Sequence, residues 1–258
     1  MAFFKKRYKT GRDGLSRDTM INGARLITAA EPKNPISEQF RTIRTNIDFA
    51  SVAKGNVKTL LVSSALPSEG KSTITANLAV VYAQQGKKIL LVDTDLRRPT
   101  VASTFGITDN HGLTNYLADV NSDAQSIIHH TRMETLDVVT SGPVPPNPAE
   151  LLTSSRMTNL IAELRQQYDL VIFDVPPFLM VTDAQVLMSK MDGVAIVVSG
   201  RHTTKGALQR TVDMLKLAEA PMLGFIYNDR NRKKNSGSGY GYGYGYGYGY
   251  GYGYGDAK

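Results

Sequence analysis

The chain of 258 residues contains no cysteine and no tryptophan. Without cysteine there is no disulfide framework, no thiolate metal site and no cysteine nucleophile. Histidine is scarce as well. His111, His129, His130 and His202 show no metal-ligand spacing, so solvated or hydrogen-bonded roles are expected of them. No apolar run approaches the roughly 20 residues that span a bilayer. Residues 1–12 are basic but lack a secretory apolar core, so no signal peptide is read and the body is expected to be intracellular.

What the chain does have is unevenly placed. Eight of its 13 tyrosines and ten of its 23 glycines fall within residues 237–255. Of the formal charge of +7, residues 1–17 carry +5 and residues 230–258 carry +4, leaving the stretch between at −2. Three parts follow: a basic arm (1–35), a near-neutral body (36–229) and a low-complexity basic tail (230–258). The body is long enough for one domain with a full core. Its slightly acidic balance argues against a nucleic-acid-binding face.

The arm reads as irregular, ending in Pro32 and Pro35. Ser37 is placed as the cap of a helix reaching about Ala50, with Phe40, Ile43 and Ile47 at helical spacing. Short apolar segments follow at 57–63, 88–92, 136–140, 170–173, 193–198 and 222–227. None alternates cleanly between apolar and polar, so each reads as a strand buried on both faces. Amphipathic helical segments lie between most of them, at 71–85, 148–167, 182–190 and 203–218. The alternation predicts an α/β fold, a mostly parallel sheet covered by helices on both faces. Ligands of such sheets sit at the carboxyl ends of the strands.

The first strand runs into Ser64-Ala65-Leu66-Pro67-Ser68-Glu69-Gly70-Lys71-Ser72-Thr73 and then a helix. Gly70-Lys71-Ser72 matches the end of a phosphate-binding loop, with Ala65 where the general pattern has its first glycine. Pro67, Ser68, Glu69, Gly70, Lys71, Ser72 and Thr73 are therefore the expected ATP-binding loop of a P-loop NTPase with a variant Walker A motif. Backbone N–H groups would cradle the β- and γ-phosphates, Lys71 would neutralise them, and the Ser72 hydroxyl would reach Mg²⁺. Two further strands end in carboxylates, one in Asp93-Thr94-Asp95-Leu96-Arg97-Arg98-Pro99 and one in Asp174-Val175-Pro176-Pro177. Taken singly, each is an ordinary turn or cap residue. Together with a phosphate loop they suit Mg²⁺, which takes oxygen ligands and keeps waters.

These residues resemble the three Walker-type motifs of the bacterial tyrosine kinases of capsule and exopolysaccharide synthesis. Glu38-Gln39-Phe40-Arg41-Thr42-Ile43-Arg44 resembles that family's E-x-x-R-x-x-R motif for subunit association, and the tyrosine-rich tail is similar too. The resemblance implies an ATP- and Mg²⁺-dependent protein-tyrosine kinase that autophosphorylates in trans and regulates polysaccharide synthesis and chain length. Its acceptors would be Tyr240, Tyr242, Tyr244, Tyr246, Tyr248, Tyr250, Tyr252 and Tyr254. It implies a homo-oligomer, expected to be a ring, built through Glu38, Arg41 and Arg44. It also implies the split Gram-positive form. There, a cytoplasmic catalytic chain is held at the inner membrane face by a separate membrane-anchored activator of the polysaccharide co-polymerase type. Protein substrates would belong to the same pathway, and nucleic acid is not an expected partner.

Lys71 and the loop backbone are assigned to the phosphates, Ser72 to direct Mg²⁺ contact, and Asp95 and Asp174 to the outer Mg²⁺ shell. Asp93 is the expected acceptor of the tyrosine proton, though the sequence does not separate it from Asp95. A free phenol has a pKa of about 10 against about 4 for Asp, so the proton would move late. Asn228 follows the last strand and suits either an adenine contact or a turn. Arg97 and Arg98 suit phosphate, the acidic tail or plain surface. Glu38, Arg41 and Arg44 also fit an intrahelical salt bridge. Tyr8, Tyr82, Tyr116, Tyr168 and Tyr227 are expected to pack rather than accept phosphate.

Two readings compete. A partition- or septum-type ATPase carries an early lysine in K-G-G-x-G-K-[ST]. Aligned on Gly70 that position is Leu66, and Pro67 and Ser68 replace the two glycines. A nucleotide-bound scaffold with an adhesive tail is the other. The Tyr/Gly tail cannot build a core and is expected to be disordered, with a reach of roughly 25–30 Å. Each phosphotyrosine adds about −1.5 to −2 charge, so modification would reverse the tail's positive sign and favour dissociation of an oligomer. The basic arm suits either anionic lipid or simple solubility.

Overall fold

The computed structural model describes residues 15–229. The start of the arm and all eight tail tyrosines, Tyr240 to Tyr254, lie outside the described residues. Strands β1 (Thr59–Ser64), β2 (Ile89–Asp93), β3 (Ile128–His130), β4 (Leu136–Val139), β5 (Leu170–Asp174), β6 (Gly193–Ser199) and β7 (Met222–Asn228) form one sheet. Their order is β3-β4-β2-β5-β1-β6-β7. Every pairing is parallel except that of β3, which runs antiparallel to β4 at the edge. β3 was not expected. Three residues, two of them histidine, carry no periodic signal.

Neighbouring residues of the central strands enter opposite cores, which is why no alternation is visible in the sequence. Leu61, Leu90, Val92, Val171 and Phe173 pack on one face. Leu60, Val62, Leu91, Leu170 and Ile172 pack on the other. Helices cover both faces: α1 (Leu15–Asn22), α2 (Ile27–Ala30), α3 (Pro35–Ala53), α4 (Lys71–Ala83), α5 (Val101–Phe105), α6 (Leu113–Ala118), α7 (Pro148–Thr153), α8 (Ser155–Gln167), α9 (Asp183–Met188) and α10 (Lys205–Leu217).

Three local expectations change. Ser37 does not cap α3. Asn34 does, its side chain accepting from Ile36 N–H at 2.9 Å, with Pro35 opening the helix. Ser37 lies one turn in, buried, and donates to the Glu31 carbonyl at 2.8 Å. The single helix expected over 148–167 is broken at Ser154 (φ −58°, ψ 155°), whose hydroxyl caps α8 by accepting from Met157 N–H at 3.3 Å.

The third change concerns residues 15–35, which are not an irregular arm but hold α1 and α2. Ile27 and Thr28 are buried against α4. Asn77 of α4 organises this contact. Its Oδ1 accepts from Thr28 N–H (3.1 Å) and Thr28 Oγ1 (2.9 Å), and its Nδ2 donates to the carbonyls of Arg25 and Thr73, both at 2.8 Å. Asn77→Ala should leave buried partners unsatisfied and lower unfolding free energy by about 1–3 kcal/mol. Denaturant titration measures this. An unchanged midpoint would show that the segment is not anchored there.

Candidate nucleotide site

β1, β2, β5, β6 and β7 end on one edge of the sheet, and the expected site residues follow those ends. Register places Asp93 of β2 beside Asp174 of β5, and Val62 of β1 on the other side of Asp174. The phosphate loop leaves β1 at Ser64 and enters α4 at Lys71. Gly70 caps that helix at φ 93°, the left-handed region where glycine carries no Cβ penalty. Ser68 also takes a positive φ, 63°, which is uncommon for a residue with a side chain.

Lys71 is buried, and its Nζ lies 2.8 Å from Asp95 Oδ2 and 3.5 Å from Asp174 Oδ1. It also donates to Ser72 Oγ at 3.1 Å. Burial works to lower the ammonium's pKa, but Asp174, Asp95 and Asp93 outweigh it and hold the group firmly charged. One cation thus faces three carboxylates. Asp93 absorbs part of the imbalance: burial, then the Asp174 charge, push its carboxyl up to about 7. Its Oδ2 accepts from the N–H groups of Thr100 and Val101, both at 2.9 Å, and Oδ1 from Asp95 N–H at 3.2 Å. Asp174 is raised too, by burial, with Lys71 pulling the other way.

Asp174 Oδ2 is buried and has no hydrogen-bond partner. A bare carboxylate oxygen is costly in that setting unless a cation or its hydrating water is available to it. The donor set of Ser72, Asp95 and Asp174 is all oxygen, which fits Mg²⁺. Lys71 and the α4 N-terminus fit phosphate.

The loops around this centre are tied to one another. Thr94 donates twice to the Asp174 carbonyl, from N (3.0 Å) and Oγ1 (2.8 Å). Arg98 N–H donates to Asp95 Oδ1 at 3.0 Å. The Arg97 side chain pairs with buried Asp183 at the start of α9, Nε to Oδ2 at 2.8 Å. Asp183 was not anticipated, since an Asp after Thr182 reads as a plain cap. Asn228 Nδ2 donates to the Glu69 carbonyl at 2.7 Å, joining the end of β7 to the phosphate loop. The Glu69 side chain is also buried, its oxygens accepting from Leu66 N–H at 3.0 Å and from the Thr203 hydroxyl. Thr203, in the turn after β6, had no signal in the sequence.

The Glu38, Arg41 and Arg44 triplet lies on α3, away from these strand ends. Arg41 pairs with Glu38 and donates to the Pro32 carbonyl at 2.8 Å. Arg44 turns inward and donates to the Val81 carbonyl of α4 at 3.0 Å. Tyr82, Tyr116 and Tyr168 are buried, and Tyr227 is exposed.

Comparison with known proteins places this geometry. Residues 57–223 match the AAA domain family AAA_31. The tyrosine-protein kinase YwqD of Bacillus subtilis (strain 168) is 48% identical over 205 residues, 80% of this chain and 86% of that protein. The crystal structure of the chimerical protein CapA2B2 superposes with a TM-score of 0.75 at 42% identity, covering 80% of this chain and 89% of that one. The kinase domain of Escherichia coli tyrosine kinase ETK gives a TM-score of 0.77 at 31% identity, over 94% and 91% of the two chains. With its phosphate loop and strand-end carboxylates set in this sheet, the chain belongs to the bacterial tyrosine-protein kinase family.

Proposed function

We propose that this chain transfers the γ-phosphoryl group of ATP to tyrosines of its own C-terminal cluster, in trans, and thereby regulates capsular or exopolysaccharide synthesis and chain length. The observation that carries this reading is the buried Lys71 ammonium, 2.8 Å from Asp95 and 3.5 Å from Asp174, beside a carboxylate oxygen without a partner. Lys71 and the loop from Pro67 to Thr73, through its N–H groups from Ser68 onward, bind the phosphates. Ser72 Oγ would hold Mg²⁺, with Asp95 and Asp174 assisting from the outer shell, and the ion would supply neutralisation of the charge on the phosphates. Asp93 receives the tyrosine proton late in the transfer. Asp95 is the alternative for that role, since both carboxylates are already engaged, Asp93 by the N–H groups of Asp95, Thr100 and Val101 and Asp95 by Lys71 and Arg98 N–H. For Asn228, the bond to the loop carbonyl supports holding the loop over contacting adenine.

Copies associate through α3, at Glu38, Arg41 and Arg44, into a ring in which one copy's tail reaches a neighbour's site. Support comes from the outer surface of α3, where Phe49 and Val52 are 71% and 78% exposed. The Arg44 contact with Val81 would have to coexist with that interface. A membrane-anchored activator of the polysaccharide co-polymerase type holds the chain at the inner membrane face, and other substrates come from the same pathway. A septum-type ATPase switch is the weaker reading, since Leu66 stands where that class has its lysine.

Mass spectrometry after incubation with Mg-ATP, with and without an activator peptide, tests the assignment. Phosphotyrosine should map to Tyr240 through Tyr254. It should fall on the order of 10³-fold or more in Lys71→Met, and vanish from a chain cut after residue 229. Phosphotyrosine surviving Lys71→Met would overturn the reading. Asp93→Asn should slow transfer by roughly 10²–10⁴-fold, and full activity would remove Asp93 from the proton-accepting role.

Asp93 also sets a pH dependence. Its folded pKa of about 7 lies above the ordinary 3.8. The folded chain therefore holds that proton more tightly than the unfolded chain. The associated stability is full below about pH 4 and lost as pH rises through about 7. In metal-free buffer, the Tm of Asp93→Asn relative to the unaltered chain should climb between about pH 5 and about pH 8. A constant difference would contradict the burial of a titrating carboxyl there.

A further inference from the structure

The Glu69 side chain has the wrong sign to touch phosphate, yet it lies two residues before Lys71 and is only 1% exposed. Both of its oxygens are occupied. Oε2 accepts from Leu66 N–H at 3.0 Å, closing the turn from 66 to 69 inside the loop. Oε1 accepts from Thr203 Oγ1, outside the loop. Thr203 is itself fixed, since its Oγ1 accepts from Ser199 N–H at the end of β6 at 2.8 Å. The Glu69 carbonyl takes the Asn228 amide at 2.7 Å. The ends of β6 and β7 and the phosphate loop therefore meet at one residue.

The loop needs such a clamp for a reason visible in its sequence. A phosphate loop works by aiming N–H groups before the ligand arrives, and glycines usually supply the required backbone shapes. Between Ala65 and Lys71 this chain has only Gly70. Ser68 takes φ 63° with its side chain in place, a backbone conformation that residues with a Cβ rarely adopt. Pro67 offers no N–H at all. A charged acceptor on Leu66 N–H, anchored at its other oxygen to a different part of the fold, opposes relaxation of that strained turn.

We propose that Glu69 is a positioning residue. Through Leu66 N–H and Thr203 Oγ1 it holds the phosphate loop in its ligand-ready shape, so nucleotide affinity depends on a pair of side chains that do not contact the nucleotide. This rests on reading the loop as the nucleotide site. A loop released from the clamp must be reordered by the phosphates at the expense of binding. The loss is therefore read in the affinity for MgADP or MgATP.

Isothermal titration of MgADP into the full chain tests this without requiring kinase activity. Glu69→Gln and Thr203→Val should each bind about tenfold more weakly. Thr203→Ser, which keeps the hydroxyl, should stay within about twofold of the unaltered protein. The double variant Glu69→Gln with Thr203→Val should lose clearly less affinity than the sum of the two single losses, because the Glu69–Thr203 bond is common to both. Unchanged affinity in both single variants, or fully additive losses, would overturn the proposal. So would a lowered Tm with intact affinity, since that is the mark of a purely structural bond. If Glu69→Gln does not fold, Thr203→Val against Thr203→Ser decides the question alone. An unaltered chain that fails to bind MgADP would instead overturn the nucleotide-site reading beneath it.

Discussion

Much of this structure depends on burying one ammonium group among three carboxylates. Lys71 is charged and shielded from water, which is tolerable only because Asp95 and Asp174 lie within 2.8 and 3.5 Å. The reverse also holds, for the carboxylates could not be buried together without it. One cation does not balance three anions, and two features follow from the remainder. The Asp93 carboxyl is pushed up by burial and by its neighbours, and Asp174 keeps an oxygen without a partner. A centre with surplus buried negative charge and an all-oxygen donor set is suited to a hard divalent cation, and a lysine beside it to the phosphates that cation accompanies.

Holding that centre in place is mostly the work of backbone and short polar bonds. Sheet register sets Asp93 beside Asp174. Thr94 ties the loop after β2 to the end of β5, and Phe178 N–H bonds the Ser64 carbonyl at 2.9 Å, tying the loop after β5 to β1. Arg97 and Asp183 clasp the loop after β2 to α9. Catalysis of phosphoryl transfer asks chiefly for positioning and charge neutralisation. The bonds between loops therefore belong to the chemistry as much as the groups that would meet the substrate.

Away from the centre, α3 and the segment before it show how a motif read as one unit divides by environment. Glu38 and Arg41 lie toward solvent and pair with each other, whereas Arg44 is turned onto the carbonyl of Val81. Three polar residues at intervals of three share a helical face in projection. Because α3 packs against α4, the last of them is turned onto that helix's backbone and is half-buried there. The same packing gives the preceding residues a buried partner in Asn77, so a stretch whose prolines and charges suggested irregularity contains helices.

The amino-acid order was enough to give every strand of the sheet but β3, its helical cover, and the placing of Lys71 and the three aspartates at the strand ends. Apolar runs without alternation can be buried only on both faces, and a Gly-Lys-Ser after such a run has few other uses. Lys71, Ser72, Asp93, Asp95 and Asp174 were legible for that reason. What the sequence could not decide were contacts between residues far apart in the chain. Glu69 with Thr203, Arg97 with Asp183, and Asn77 with the segment around Thr28 are separated by 134, 86 and 49 positions. Glu69 and Arg97 fall within motifs, but nothing in those motifs names Thr203 or Asp183 as their partners, and Asn77 and Thr28 carry no motif signal. A side-chain hydrogen bond is specified by distance and direction in the folded chain, and only the tertiary structure supplies both.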